Sequence, residues 1–359
     1  MRLIRTYFLL WLLCLAPVLS AQAHDGGLPL GDGKLSSSPQ AGYLWVCHER
    51  KGGGGAFRDG PWIKGNYWYP DQKIHIQGDV DWPDASTSIT VDGALRIVRG
   101  NDLPDHATGI YPVQQNDPAF NYDRNPNSIR AQHVQFVLPV DPVEARSPSC
   151  VGGSVGISLT GSWIFNAIDG EGRDAPAHEI QDKCNGHPER KGQYHYHGPS
   201  PCMKDASGDM GRHSDQVGYA FDGFGIYGLH GEDGKLLTDA DLDACHGHKH
   251  EVMWNGRMQV IYHYHMTREF PYSVGCFRGA EVNRQAEFGQ AAHQGGQMQQ
   301  RPVNPQAILQ GAAQNLGVDP GTLRNAVGGP PPDFARASRA LGIPEDRIHA
   351  AFVAAGAPN

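Results

Sequence analysis

One unusual pattern is written twice in this chain. "DKCNGHPERKGQYHYHGPSPC" begins at Asp182, and "DACHGHKHEVMWNGRMQVIYHYH" begins at Asp243. Each holds Asp-x-Cys, then Gly-His, then Tyr-His-Tyr-His, in that order. The likeness extends upstream, where "VGISLTGSWIFNAIDGEG" from Val155 aligns with "VGYAFDGFGIYGLHGEDG" from Val217. The offset is 62 residues there, 61 at Asp-x-Cys and 68 at Tyr-His-Tyr-His, so the one sizeable insertion lies between the second Gly-His and its tyrosines. Tandem duplication predicts two similar modules related by approximate two-fold symmetry. Their histidine strands then occupy equivalent environments that can face one interface.

The first residues point to export. Arg2 and Arg5 precede the apolar run "YFLLWLLCLAPVL", and "AQA" at Ala21–Ala23 fits a small-x-small cleavage site. This is the pattern of a secretory signal peptide over residues 1–23, too short and wrongly flanked for a membrane span, and it would take Cys14 with it. No later stretch reaches the 18 apolar residues of a spanning helix. The expected location is the periplasm or the exterior. Cleavage there leaves Cys47, Cys150, Cys184, Cys202, Cys245 and Cys276, and an even number in an exported chain favours disulfides over thiolate metal sites. Six cysteines allow fifteen pairings. The duplication narrows them, because Cys184–Cys202 and Cys245–Cys276 occupy equivalent places and leave Cys47–Cys150. Loss of Arg2 and Arg5 moves the formal charge from −8 to −10. With no basic run and no aromatic–basic interleaving, nucleic acid is not an expected partner.

The organisation predicted is mainly β, with a duplicated disulfide-stabilised β module after an N-terminal β region and a small C-terminal α-helical module. Over residues 24–150, "AGYLWVCH", "KIHIQGDV", "SITVDGALRIVRG" and "AQHVQFVLPV" read as strands separated by turn residues. Residues 151–285 hold the duplicated unit. Residues 286–305, "AEFGQAAHQGGQMQQRPVNP", are Gln- and Gly-rich and read as a flexible linker. Over 306–359 the period becomes helical, and "LGVDPGTLRNAV" is echoed by "LGIPEDRIHAAF" 25 residues later. Asp319-Pro320 marks a helix start, the carboxylate capping and the proline preset for the first turn.

In an extended strand side chains alternate faces. Tyr194 and Tyr196 then oppose His195 and His197, and Tyr262 and Tyr264 oppose His263 and His265. Paired imidazoles at i and i+2 can converge on one ion at about 2.0–2.1 Å. The upstream Gly-His supplies a third candidate ligand to each set, His187 and His248. Asp182, Asp222 and Asp243 are candidate ligands or partners that orient a ring from behind, and His246 and His250 add donors in the second copy alone. With the cysteines oxidised, imidazole and carboxylate remain, which suit copper or zinc better than calcium or magnesium. Eleven of the eighteen histidines lie between His178 and His265. A purely structural role fits the same residues, since tyrosine is a good strand former and histidine can bond backbone carbonyls.

These features also carry a resemblance. The repeated Tyr-His-Tyr-His, "DGFGIYG" before the second copy and "FPYSVGCFRG" after it resemble the YHYH domain family of exported proteins over residues 150–280. The resemblance implies a domain and a compartment and assigns no chemistry. Similar proteins often read Asp-x-Cys-Asn-Gly in the second copy; here Asn185 stands in the first and His246 in the second. The helical tail resembles small repeats appended to other bacterial exported proteins. Other motifs favour ordinary roles. "GFGIYG" lacks the following helix that a dinucleotide site needs. "DADLDACHGHKH" lacks the glycine and glutamate of a calcium loop and reads as a cap or solvated turn. His24, first after cleavage, would be a copper ligand only with that cut. No serine-hydrolase triad spacing is recognisable.

The leading expectation is an exported protein that binds copper or zinc through His187, His195, His197, His248, His263 and His265. The alternatives are an interaction module without metal, directed at a glycan or cell-envelope ligand, and a metal-dependent oxidoreductase or hydrolase.

Overall fold

The computed structural model describes residues 26–48, 54–204, 211–280, 282–283, 305–328 and 332–355. The expected signal peptide with His24, and nearly all of the expected linker, lie outside the described residues. The chain is mainly β, with a separate set of C-terminal helices.

The N-terminal region is built from short pieces. Strands β1 (Leu28–Pro29), β2 (Leu35–Ser36), β3 (Leu44–Trp45), β4 (Ile63–Lys64) and β5 (Tyr67–Trp68) are two residues each. They are followed by a meander of β6 (Thr87–Asp92), β7 (Leu95–Gly100) and β8 (Val134–Pro139). "SITVDGALRIVRG" is therefore a hairpin, with Gly93 at φ +56° in its turn. "KIHIQGDV" is not a strand: Ile76 and Val80 make isolated bridges, to Asp182 and Thr108. In β8, Val134, Phe136 and Leu138 are buried and alternate with exposed neighbours, the two-residue period of a sheet with one covered face. Phe136 meets Trp163 edge-on at 4.8 Å and Phe221 at 5.0 Å, which packs the meander on the duplicated region.

That region contributes an eight-stranded sheet. Its strands are β10 (Ser154–Ser158), β11 (Trp163–Phe165), β12 (Gly186–Pro188), β13 (Tyr194–Tyr196), β14 (Gln216–Ala220), β15 (Gly225–Tyr227), β16 (Gly247–Trp254) and β17 (Arg257–His265). The order is β12-β13-β11-β10-β14-β15-β17-β16. It reads as one four-strand pattern followed by its reverse. At the centre Ile157 pairs with Tyr219, its own equivalent 62 residues on, and the flanking pairs Gly156–Ala220 and Ser158–Gly218 exchange equivalents. A two-fold relation thus passes between β10 and β14, inside one continuous sheet. Irregularities repeat as well. Both central strands slip register against their hairpin partner, between Ser154 and Gly156 and between Gln216 and Gly218. Gly156 and Gly218 allow the two copies to approach: a Cβ would lie 2.5 Å from the Tyr219 carbonyl in one case and 2.7 Å from the Ile157 carbonyl in the other.

Disulfides join Cys184 to Cys202, Cys245 to Cys276 and Cys47 to Cys150, the pairing that the duplication predicted. Strand β18 (Phe277–Gly279) returns to pair with β9 (Glu144–Ser149). The short helix α1 (Ala175–His178) is gripped by the N-terminal region: the Asp174 carboxylate accepts the Gly31 amide at 2.7 Å, and the Trp62 indole donates to the Ala177 carbonyl at 2.9 Å. Helices α2 (Pro305–Leu316), α3 (Pro320–Val327), α4 (Phe334–Leu341) and α5 (Glu345–Ala354) form their own apolar cluster around Leu323, Ala337 and Ile348. Asp319 caps α3 by accepting the Thr322 amide at 2.8 Å. No helix among the described residues is long and apolar enough to cross a membrane.

Candidate metal centres

The tyrosines of each Tyr-His-Tyr-His anchor the strand from one side. The Tyr194 hydroxyl donates to Asp182 at 2.9 Å, and that of Tyr262 donates to Asp243 at 3.0 Å. Both aspartates also hold the turn before the Gly-His. Asp182 accepts the Cys184 and Gly186 amides, and Asp243 accepts those of Cys245 and Gly247. The turn residues Asn185 and His246 have φ +58° and +72°, the left-handed region that asparagine tolerates well. The second pair of tyrosines differs. Tyr196 bonds Thr160 at 2.9 Å, whereas Tyr264 donates at 2.5 Å to Asp222, the Thr160 equivalent. Asp182, Asp222 and Asp243 therefore serve turns and tyrosines, and none belongs to a histidine cluster.

The histidines project from the opposite face. Antiparallel pairing sets His187 directly across from His195 and His248 directly across from His263. The seven extra residues of the second copy lengthen the β16–β17 hairpin beyond this pair and leave it intact. Cross-strand pairing is thus why the upstream Gly-His meets the His-x-His.

Ring orientation repeats too. His195 and His263 direct Nδ1 at the carbonyls of Gln193 and Ile261, at 3.2 and 3.0 Å; His197 and His265 direct theirs at Asn166 and Gly228, 62 residues apart, at 2.5 and 2.7 Å. A carbonyl only accepts, so each Nδ1 carries the hydrogen and each Nε2 of the neutral ring is a lone pair. In the first module the Nε2 atoms of His195 and His197 face each other at 3.1 Å. In the second, His213 Nδ1 donates to the Ser214 carbonyl and its Nε2 faces that of His265 at 3.1 Å. Two lone pairs at that separation repel unless a cation lies between them.

The first cluster consists of His187, His195 and His197. Glu179, at the end of α1, joins it: its Oε2 lies 3.4 Å from the Nε2 atoms of both His187 and His197. That oxygen and both ring nitrogens of His187 are buried without a hydrogen-bond partner among the described residues. The second cluster consists of His213, His248, His250, His263 and His265, with ligand atoms within 4.8 Å of one another. The Nε2 atoms of His248, His250 and His263 are likewise buried and unpartnered. The His250 Nδ1 is turned outward to the Glu251 carbonyl at 3.0 Å.

Burial makes protons poor occupants. Desolvation, reinforced by neighbouring imidazoles, holds His187 and His195 well below the ordinary histidine value, and desolvation takes His197 to about 4. The same causes take His248 to about 4 and His265 well below its ordinary value. His213 is held at about 4 by desolvation. Desolvation, with Asp123 and Asp169 nearby, raises Glu179 well above the usual carboxylate range. The rings so shifted are neutral donors aimed at one another.

All six histidines expected as ligands are in these clusters, three in each. Sequence reasoning missed Glu179 and His213, because neither is matched by a cluster residue in the other copy; the offsets place Ala240 or Asp241 opposite Glu179 and Val151 opposite His213. His250 joins the second cluster, but His246 does not, since its Nε2 bonds the Thr267 hydroxyl at 2.8 Å. A third grouping, His106 with Cys184 and Cys202, has both sulfurs in a disulfide and the His106 Nε2 on the Tyr196 hydroxyl. "DADLD" is a capped turn: Thr238 and Asp241 bond reciprocally as a capping box. "GFGIYG" runs from a turn at Gly223 into β15, not into a helix.

The first cluster borders a cavity of about 810 Å³, lined also by Phe57, Arg124, Asn127 and Arg190. No curated protein and no solved structure matches the chain. The model of the family described as YHYH protein matches residues 135–235, from β8 through the first histidine cluster and into the second module. The duplicated, histidine-bearing sheet of this chain is thereby identified as carrying a YHYH domain over that segment.

Proposed function

We propose that this is an exported protein, periplasmic or secreted, that binds a transition metal ion, copper or zinc, in each of its two modules. The observation that carries the reading is the opposed Nε2 lone pairs, His195 against His197 in a buried setting and His213 against His265 in a part-buried one, each at 3.1 Å. Two ligands at about 2.0–2.1 Å from one tetrahedral ion are about 3.4 Å apart, so the rings stand near the spacing that coordination requires. In the first module His187, His195, His197 and Glu179 would hold the ion; in the second, His213, His248, His250, His263 and His265 would. The carbonyls of Asn166 and Gly228 fix the tautomer, the outer-shell role that ligating histidines commonly need. The three disulfides fit an oxidising compartment.

Metal analysis of protein purified without a histidine tag tests this. Near-stoichiometric copper or zinc, lost from the first site in H195A/H197A and from the second in H263A/H265A, is the expected result. A folded protein that takes up neither ion contradicts it and favours a metal-free module for a glycan or envelope ligand. The cavity beside the first site favours a second reading, a metal-dependent enzyme, in which His187, His195 and His197 hold the ion without Glu179 and leave a position for water or substrate. Activity removed by chelator and restored by one particular ion would establish that reading.

A further inference from the structure

We propose that the two sites have diverged to hold different metal ions, zinc at the first and copper(II) at the second. This rests on the metal-binding reading above and adds selectivity to it. The duplication makes the difference readable position by position. Both modules share three imidazoles, His187, His195 and His197 in one and His248, His263 and His265 in the other. Around this common core the additions differ in kind. The first module adds the Glu179 carboxylate; in the second the 61–62-residue offset falls on Ala240 and Asp241, and the Asp241 carboxylate is bonded to Thr238 and Lys235 and is not part of the histidine cluster. The second adds His213 and His250, where the first has Val151 and Glu189.

Three imidazoles and one carboxylate oxygen make a four-donor set, and the carboxylate offsets part of the charge of a divalent ion buried among neutral groups. Four donors of nitrogen and oxygen suit tetrahedral zinc. Five imidazoles make an all-nitrogen set larger than a tetrahedral ion uses. Copper(II) takes tetragonal nitrogen ligation and stands highest among the divalent ions in affinity for nitrogen sites. Each added imidazole therefore widens the advantage of copper over zinc, and the second site has two more than the first. Its outer boundary compensates the charge at longer range, since Glu232 lies 3.5 Å from the His250 Nδ1. The shared core explains why both sites bind; the unshared residues decide what they bind.

The test uses untagged, metal-free, full-length protein given one equivalent of copper(II) and one of zinc. Electron paramagnetic resonance reads the copper ligands, and zinc K-edge absorption reads the zinc shell. The expected result is one copper(II) species with four or more nitrogen ligands, and zinc in a mixed nitrogen–oxygen shell. H213Q/H250Q should weaken copper binding by at least about 100-fold, since even outer-shell partners of a metal are commonly worth about 10–100-fold. E179Q should leave the copper spectrum unchanged while weakening zinc at least about tenfold. His213 and His250 are only partly buried, and circular dichroism checks that the variants fold. Should H213Q/H250Q misfold, displacement in the parent protein decides: copper added to the zinc-loaded form should expel one zinc and leave the mixed shell. Identical copper species at both sites, or a copper spectrum unchanged in folded H213Q/H250Q, overturns the inference while metal binding stands. Failure of one ion to bind overturns the inference alone, and failure of both overturns the underlying reading as well.

Discussion

Position 222 offers a stability experiment with an internal control supplied by the duplication. Asp222 is fully buried and accepts from the Tyr264 hydroxyl at 2.5 Å, from the amides of Gly279 and Arg278 at 2.8 and 3.1 Å, and from the Phe224 amide at 3.3 Å. Substitution by alanine strands three of these donors, because the Arg278 amide still has the Tyr264 oxygen at 2.7 Å. A buried donor left unpaired costs about 1–3 kcal/mol, so Asp222→Ala, which strands three, should cost about 3–9 kcal/mol. The equivalent Thr160 holds Tyr196 through one neutral bond, and Tyr196 keeps His106 as a second partner at 2.5 Å. The Thr160 hydroxyl also meets that of Ser158 at 2.7 Å, and Ser158 keeps the Ser162 carbonyl, so Thr160→Val should cost about 1–2 kcal/mol. Urea denaturation of both variants, with disulfides intact, measures the difference. At about 2–4 °C per kcal/mol for a body of this size, the melting temperature should fall by about 6 °C or more in D222A and by a few degrees in T160V. Equal, small losses in the two variants would refute the assignment of Asp222 as the clamp that sets β17 against β18.

Other outcomes follow from the same structure. Asp239 is raised to about 7 by desolvation and by the charge of Glu269. Because the folded value lies above the ordinary 3.8, its contribution is full below pH 4 and is lost as pH rises through about 7. Asp239→Asn should then leave stability unchanged near pH 4 and raise it on the order of 1–2 kcal/mol at pH 8, partial exposure discounting the larger gross figure; chemical denaturation at the two pH values checks this. The Cys47–Cys150 bridge closes a separation of 103 residues, so C47S/C150S should lose up to about 4–5 kcal/mol in the chain-entropy account, measured as a shift in denaturation midpoint. Saturating metal at 100 times its dissociation constant should add about 2.7 kcal/mol per site, visible as a rise in melting temperature that chelator reverses. That rise should shrink in H195A/H197A.

The parts legible in the sequence were those the duplication wrote twice. Cys184–Cys202 and Cys245–Cys276 could be paired because equivalent positions fold alike, and Cys47–Cys150 followed by remainder. The alternation Tyr-His-Tyr-His identified the histidine face, since a strand has a period of two whatever its tertiary setting. What escaped was whatever one copy holds alone. Glu179 reaches its cluster from the end of a single helical turn that the N-terminal region pins through Asp174 and Trp62, and no local pattern announces such a placement. His213 sits before β14 with Val151 as its counterpart. The continuity of the sheet across β10 and β14 was also hidden, because it depends on Gly156 and Gly218 admitting a close approach that glycine content alone does not locate. In the N-terminal region "KIHIQGDV" has strand composition yet makes only two bridges, since its partners are loop residues, Asp182 and Thr108, rather than a second strand.

The central claim is that the facing imidazoles share a metal ion. An anomalous difference map at the copper or zinc edge, from crystals of untagged protein, tests it most directly. The account predicts one peak between His195 and His197 within reach of His187 and Glu179, and another among His213, His248, His250, His263 and His265, with nitrogen distances of about 2.0–2.1 Å. Maps without a peak at either place, with the Nε2 atoms bridged by ordered water or turned apart, would contradict it.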